Sequence, residues 1–196
     1  MYSQGEEEKY ILEFFKDKND GSFLDIGAYD GSCFSNTRQL ALNGWSGVLV
    51  EPSKLVFPKL AELYKDNNKV ECIQCAIGPY NGYVDFWDSA GACATAVEYH
   101  YDKWKDVQND FELISVPMLT FMEFYKQFPY IYDFINIDCE GLDFDIIKQI
   151  DFNETNTSLL CIEYNYNSEQ IFKALEHWKF KTIFTNAENM ICTREV

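Results

Sequence analysis

Phe23-Leu-Asp-Ile-Gly-Ala-Tyr-Asp-Gly31 (FLDIGAYDG) decides how the chain folds. Phe23, Leu24 and Ile26 form a short apolar run with β character. It stops at Gly27, passes through the turn-tolerant Tyr29 and Asp30, and reaches Gly31. Ser32, Ser35, Asn36 and Thr37 follow, and an apolar run resumes at Leu40. A buried strand, a glycine turn and a helix start in this order are how an open α/β sheet receives a nucleotide-like ligand. An ordinary strand-to-helix turn has the same outline, because short glycine motifs are weak. The spacing Asp25-x-Gly27-x-x-x-Gly31 lacks the third glycine of a dinucleotide loop, which disfavours an NAD-dependent oxidoreductase. An acid at Asp25 repels a pyrophosphate but suits a ligand that carries an ammonium, as S-adenosylmethionine does.

The rest of the chain reads as strand and helix in alternation. An amphipathic helix over Glu6–Phe15 comes first, with acids in its first turn. After the glycine turn come a helix from Ser35 to Leu42, ended by Asn43-Gly44, and a strand over Gly47–Val50. A helix opening at Pro52-Ser53 follows, then a strand over Val70–Ala76 and a hairpin at Asn81-Gly82 leading into YVDFW (83–87). Phe111–Val116 is strand-like and broken by Pro117, with a short helix over Leu119–Phe128. Ile131–Ile137 and Leu159–Ile162 are near-continuous apolar strands. Helices follow them, one with a stripe of Leu142, Ile146, Ile147 and Ile150, the other capped by Ser168. Lys181–Phe184 and Met190–Thr193 pair as the last strands. The expected fold class is therefore α/β: a Rossmann-like, mostly parallel sheet with helices on both faces.

Residues 88–110 break the pattern. SAGACATA (89–96) is followed by EYHYDKW (98–104), and a stretch this long without periodicity is a lid or substrate loop. At 196 residues the chain is read as a single domain, 1–196, carrying 88–110 as an insertion.

Composition narrows the partners. The net charge of −16 argues against a nucleic-acid backbone, which wants Lys and Arg. No run approaches the ~18 apolar residues of a membrane span, and Met1 is followed by YSQGEEEK rather than a leader, so a cytoplasmic enzyme without membrane insertion is expected. Seven cysteines are scattered along the chain. Cys72 and Cys75 form a C-x-x-C on a strand, where the two side chains point to opposite faces. They read as buried reduced thiols rather than a zinc site.

Strand ends carry the chemistry in such sheets. Asp25 and Asp30 bracket the glycine turn, Glu51 follows the second strand, Asp138 and Glu140 the fourth, and Glu163 the fifth. Acids converging on one edge repel one another, so a cation, a hydroxyl-rich ligand or protonation should offset them. Glu51, about 20 residues after the glycine turn, stands where an acid takes both hydroxyls of an adenosine ribose. A helix N-terminal acid would occupy the same place. Cys75-Ala76-Ile77-Gly78 offers small side chains and main chain to an adenine ring.

Taken together, FLDIGAYDG with Ser35-Asn36-Thr37, GWSGVLVEPS (44–53), CAIG (75–78), INIDCEGLDFDII (135–147) and CIEYN (161–165) resemble the FkbM-type family of S-adenosylmethionine-dependent methyltransferases. YSQGEEEKYI (2–11) is similar to the stretch that precedes the glycine turn in that family. The resemblance implies a seven-stranded class I methyltransferase sheet with one antiparallel strand. It also implies methyl transfer to a hydroxyl oxygen, often of a sugar or glycoconjugate. For the S-adenosylmethionine site it implies Gln4, Asp25, Gly27, Ala28, Tyr29, Asp30, Gly31, Ser35 and Asn36 around the methionine end. Glu51, Pro52 and Ser53 belong at the ribose, Cys75 and Ala76 at adenine, and Asp138 near the methyl group. Tyr29 departs from the small polar residue usual in the family.

An aliphatic hydroxyl must lose its proton as it is methylated. Asp138 is the first candidate base. His100, in the irregular segment, is the second, while His177 reads as structural. Asp138, Glu140 and Glu163 offer hard oxygen ligands, so a divalent cation is an option rather than an expectation. Tyr99, Tyr101 and Trp104 offer flat apolar faces to a sugar ring. A glycan acceptor, with glycosyltransferase domains as fused or separate partners, completes the expectation. A non-sugar acceptor and a non-catalytic cofactor-binding domain remain the alternatives.

Overall fold

The computed structural model describes residues 1–108, 110–164 and 167–195. Strands β1 (Ser22–Ile26), β2 (Ser46–Val50) and β3 (Val70–Ile73) are parallel neighbours, and β7 (Phe134–Ile137) and β8 (Leu159–Glu163) extend the sheet on the other side of β1. β9 (Lys181–Thr185) and β10 (Asn189–Thr193) close it. The order is β3-β2-β1-β7-β8-β10-β9, and β10 runs antiparallel to both neighbours. This is the mostly parallel seven-stranded sheet with one antiparallel strand that the sequence led us to expect.

The apolar strands are buried on both faces, as parallel strands between helical layers must be. On one face Leu24, Ile26, Val48, Ile135, Ile137 and Leu160 pack with Phe124, Ile146, Ile147, Phe152, Ile171 and Leu175. Those partners come from α5 (Phe121–Gln127), α6 (Asp143–Ile147), α7 (Phe152–Thr155) and α8 (Ser168–His177). On the other face Phe23, Leu49, Phe134 and Cys161 meet Ile11, Leu40 and Leu60. Those come from α1 (Glu7–Phe14), α2 (Arg38–Leu42) and α3 (Phe57–Tyr64). Gly44 ends α2 with φ at 88°, the left-handed place glycine fills at a helix end.

A second sheet of three strands, β4-β6-β5, leans on this core. β5 (Gly82–Asp88) and β6 (Glu112–Leu119) pair antiparallel along their full length, and β4 (Ala76–Ile77) joins β6 in parallel. Several expectations change here. Val70–Ala76 is two strands, because the chain leaves the large sheet after Ile73 and Ala76 pairs with Met118 instead. The hairpin partner of YVDFW is β6, some 30 residues on, rather than the strand before Asn81-Gly82. β6 runs through Pro117, which has β5 on one side and meets β4 only from Met118 onward. Such a half-edge position tolerates a residue without an N–H. The expected insertion thus falls in the long connection of a hairpin, and part of it is regular: Glu98–Trp104 forms α4.

Helix starts also shift. Ser35 Oγ accepts from Thr37 and Arg38 N–H ahead of α2, and Ser53 Oγ accepts from Leu55 and Val56 N–H ahead of α3. Both serines shape turns outside the helices they were expected to begin. Asn167, not Ser168, holds the cap position of α8. The stripe from Leu142 to Ile150 is a short α6 and a turn, with α7 beyond it as a separate helix.

Phe134 sits at the centre of the large sheet, fully buried between Phe23 of β1 and Leu159 of β8. Phe134→Ala should lower unfolding free energy by about 3–5 kcal/mol in urea titration at unchanged m-value. A loss under about 1 kcal/mol would show that this layer is not the core.

Candidate functional site

The ends of β1, β2 and β7 converge on one edge of the large sheet. Gly27 and Ala28 N–H both donate to Val50 O at 3.0 Å, and Asp138 N–H donates to Ile26 O at 3.0 Å. Gly27 has φ at 88°, and a Cβ there would lie 1.7 Å from the Asp138 carbonyl oxygen. No side chain fits between these two strand ends, which is why the turn needs glycine.

A cleft with two lobes opens above this edge. The first encloses about 590 Å³ of space between atoms, part of it open to solvent. Its walls are largely apolar: Ile26, Val50, Val56, Ile77 and Leu142, with Cys75 and Ala76 beside them. Glu51, Pro52 and Ser53 form one side. The second lobe, about 500 Å³, is polar and takes in Gln4, Asp25, Ala28, Ser35, Asn36 and Asn136. Gly27, Tyr29, Ala92, Asp138 and Glu140 line both lobes and so mark their junction.

Most residues expected at the site from the sequence are therefore together. Four are not cleft-lining. Asp30 shapes the loop, its Oδ1 accepting from Ser32 and Cys33 N–H at 2.8 and 2.7 Å. Gly31, with φ at 73°, lets the loop press on Leu60 of α3. His100 is buried on α4 behind Glu140, its Nδ1 3.1 Å from Glu140 Oε2. Glu163 is buried at the end of β8. Asp138, Glu140 and Glu163 are thus not one set of ligands, and among the described residues no three His, Cys, Asp or Glu side chains are grouped to hold a metal ion.

Asp25 is held rather than open. Its carboxylate accepts from Thr37 Oγ1 at 2.6 Å and Asn136 Nδ2 at 2.8 Å, and Asn36 Nδ2 donates to Asn136 Oδ1 at 2.9 Å. The chain of bonds leaves Asn36 Oδ1 buried in the polar lobe with no hydrogen-bond partner. A buried acceptor left open is costly unless a donor arrives, and an ammonium group is such a donor. Glu51 accepts Tyr29 N–H on one oxygen at 2.9 Å and Ser53 N–H on the other at 2.8 Å. Each oxygen can accept a second bond, which matches a pair of ribose hydroxyls. The residues present therefore fit S-adenosylmethionine: amino-acid end in the polar lobe, adenosine in the apolar one.

Four site residues escaped the reading of the sequence. Asn136 lies inside an apolar strand and had no visible partner. Asp88 is buried at the end of β5, accepting from Ser53 Oγ at 2.5 Å and Lys54 N–H at 2.9 Å, and so fixes the turn after Glu51. Gly91 and Ala92, the cleft's roof, belong to a segment whose small residues were noticed but not placed.

A model of the methyltransferase FkbM domain matches residues 25–185. The chain belongs to the FkbM methyltransferase family. No curated protein matches it. Among solved structures, a putative methyltransferase from Escherichia coli is similar at a TM-score of 0.52 and 12% identity, over 99% of this chain and 89% of that one. The tRNA methyltransferase TrmK of Bacillus subtilis is similar at 0.53 and 11%, over 100% and 68%. A precorrin-6y methyltransferase from Geobacter metallireducens gives 0.51 and 10%, over 96% and 87%. At such identities these structures speak for the fold. Family and fold together support methyl transfer dependent on S-adenosylmethionine.

In this FkbM domain Asp25, Glu51 and Asp143 are buried, and Asp138 and Glu140 are half-buried at the cleft. Burial pushes the Glu51 carboxyl up from 4.5 to about 7, with Asp88 and Asp25 adding to the shift. Burial, then Glu140, Asp143 and Asp25, push Asp138 well above the ordinary range. Asp143, which accepts Cys139 and Gly141 N–H and so shapes the loop, rises to about 6. Between pH 4.5 and 7 the folded protein keeps a proton on Glu51 that the unfolded chain has released. Stability from this group is present at low pH and falls as pH rises through that window, by up to about 3 kcal/mol. Glu51→Gln should therefore gain on the wild type by about 1–3 kcal/mol between pH 5 and pH 8 in denaturant titrations. Parallel curves for the two proteins would remove the buried charge from the account.

Proposed function

We propose that the protein is an S-adenosylmethionine-dependent O-methyltransferase acting on a sugar hydroxyl of a glycan or glycoconjugate. The observation that carries this is the junction of the two lobes, where Asp138 and Glu140 stand between the apolar lobe and the open Asn36 acceptor. When bound, S-adenosylmethionine supplies a methyl group already electrophilic on its sulfonium. The chain's tasks are then to orient, to exclude water and to move one proton. Glu51 and the turn fixed by Asp88 hold the ribose end, Asn36 and Gln4 the amino-acid end. The roof of Gly91, Ala92 and Ala94 shields the junction.

The acceptor is read from the acids of the junction and from aromatic side chains on β5 and α4. Carboxyl groups accept sugar hydroxyls. Trp87 stacked on Tyr101 with centroids 5.1 Å apart, and the exposed Tyr99, add the flat apolar faces that a sugar's C–H side covers. The strong negative charge weighs against a nucleic-acid acceptor. Seven unpaired cysteines favour a reducing, cytoplasmic setting, and no helix among the described residues is long and apolar enough to cross a membrane. We place the enzyme in glycan assembly alongside glycosyltransferases.

Calorimetric titration with S-adenosylhomocysteine should show one site per chain, and Glu51→Ala should weaken it at least tenfold, about 1.4 kcal/mol. NADH should not bind. A panel of methyl and p-nitrophenyl hexopyranosides and oligosaccharides, incubated with methyl-labelled cofactor, should acquire the label on oxygen, located by mass spectrometry. Absence of S-adenosylhomocysteine binding would sink the cofactor assignment. Binding with label only on non-sugar acceptors would sink the sugar alone.

A further inference from the structure

Glu140 is held by more contacts than a loop residue needs. Its backbone is left-handed, with φ at 50°, a conformation that costs a non-glycine residue free energy and is concentrated at functional sites. Its carbonyl accepts from Thr95 Oγ1 at 2.9 Å. The imidazole of His100, 1% exposed, lies against its side chain, and a Cβ on the following Gly141 would come within 2.9 Å of that ring. Thr95 and His100 both belong to the connection between β5 and β6. That connection is also tied to the glycine turn, where Tyr29 Oη donates to Ala90 O at 3.0 Å. The roof of the cleft and the side chain of Glu140 are thus one assembly.

We propose that Glu140 takes the proton of the acceptor hydroxyl and that His100 is a positioning residue that aims its carboxylate. The proposal rests on the O-methyl transfer reading above. Glu140 lines both lobes, so it stands at their junction, whereas His100 reaches the cleft only through it. One oxygen, Oε2, accepts from the imidazole, and a carboxylate can accept through both oxygens, so Oε1 serves the acceptor. The other groups around Glu140 are Asp138 and Asp143 on its own loop and the Cys93 thiol from the roof. Burial and the neighbouring acids push Asp138 upward, which disfavours its charged form, whereas Glu140 is the acid of the junction that the His100 imidazole contacts. Charge balances: the acceptor oxygen loses its proton as it gains the methyl group. The sulfur keeps the bonding pair and loses its positive charge, and Glu140 passes from carboxylate to neutral acid.

The test uses the full chain with the most active sugar of the panel. E140Q should bind S-adenosylhomocysteine within about fivefold of wild type while kcat falls by about 10²- to 10⁴-fold. H100N, which keeps a donor near the place of Nδ1, should retain at least about a fifth of wild-type kcat. H100L should lose tenfold or more in kcat with the acceptor KM within about threefold. These bounds follow from loss of one positioning hydrogen bond. A readout independent of turnover is the imidazole nitrogen spectrum: the chain has two histidines, and E140Q should shift the His100 resonances and leave those of His177 in place. If H100L does not fold, H100N and E140Q decide. E140Q within threefold of wild-type kcat, with D138N inactive, overturns the proposal in favour of Asp138. Equal rates for H100N and H100L overturn the role of His100. Failure of the wild type to bind S-adenosylhomocysteine instead overturns the methyl-transfer reading beneath both.

Discussion

The contact between Gly27 and the Asp138 carbonyl is the constraint from which the site follows. Two parallel strands, β1 and β7, end side by side, and the chain leaving one must pass over the end of the other. With no side chain at Gly27, the turn can drop onto the β7 end, sending Tyr29 across the cleft and its N–H to Glu51. The same descent brings Asp25 and Asn136 into register across the strand pair, where one hydrogen bond joins them. A Cβ at that position would force the strand ends apart and open both lobes at their junction. The methyltransferase site is thus a by-product of how closely two strand ends approach.

The second determinant is electrostatic. Asp25, Glu51 and Asp143 are buried and Asp138 is half-buried; Asp25 adds to the upward shifts of Glu51 and Asp138, and Asp143 adds to that of Asp138. Asp25 and Asp143 are compensated by donors from Thr37, Asn136 and backbone N–H groups. Glu51 is compensated likewise, by the N–H groups of Tyr29 and Ser53, and all of these acids but Asp143 line the cleft. A site arranged this way is uncomfortable when empty at neutral pH and gains from a ligand that brings positive charge and hydroxyl donors. The sulfonium and the ammonium of S-adenosylmethionine answer the first demand and its ribose diol the second. This accounts for the acid at Asp25, out of place in a pyrophosphate turn.

The large sheet was legible because its strands are buried on both faces, and continuous apolar runs such as Phe134–Ile137 have few other readings. Glu51, Cys75, Ala76 and Asp138 could be placed for the same reason: once the strands are known, so are their ends. The small sheet was not legible. β4 is two residues long, β6 passes through a proline, and β5 finds its partner across a connection of more than twenty residues, so each local cue pointed to a break or to a nearer partner. His100 was misplaced on similar grounds. EYHYDKW has no apolar stripe for a helix to bury, yet it is helical because Trp87 stacks on Tyr101 and His100 closes on Glu140. Asn136 and Asp88 became intelligible only through partners 111 and 35 residues away.

That illegible part forms the roof of the cleft. The elements that hold the cofactor end at the edge of a rigid sheet, and their geometry leaves little room for variation. The roof comes from the connection of a hairpin that is anchored at its base by antiparallel pairing, so its length and sequence can change without disturbing the core. In this chain the connection does three things at once: it narrows the cleft with Ala92 and Ala94, ties down Tyr29 through Ala90, and carries the histidine that braces Glu140. Shape of the acceptor space and aim of the proton-accepting group therefore change together when this segment changes. A relative with the same sheet and a different roof would keep the cofactor and lose the acceptor.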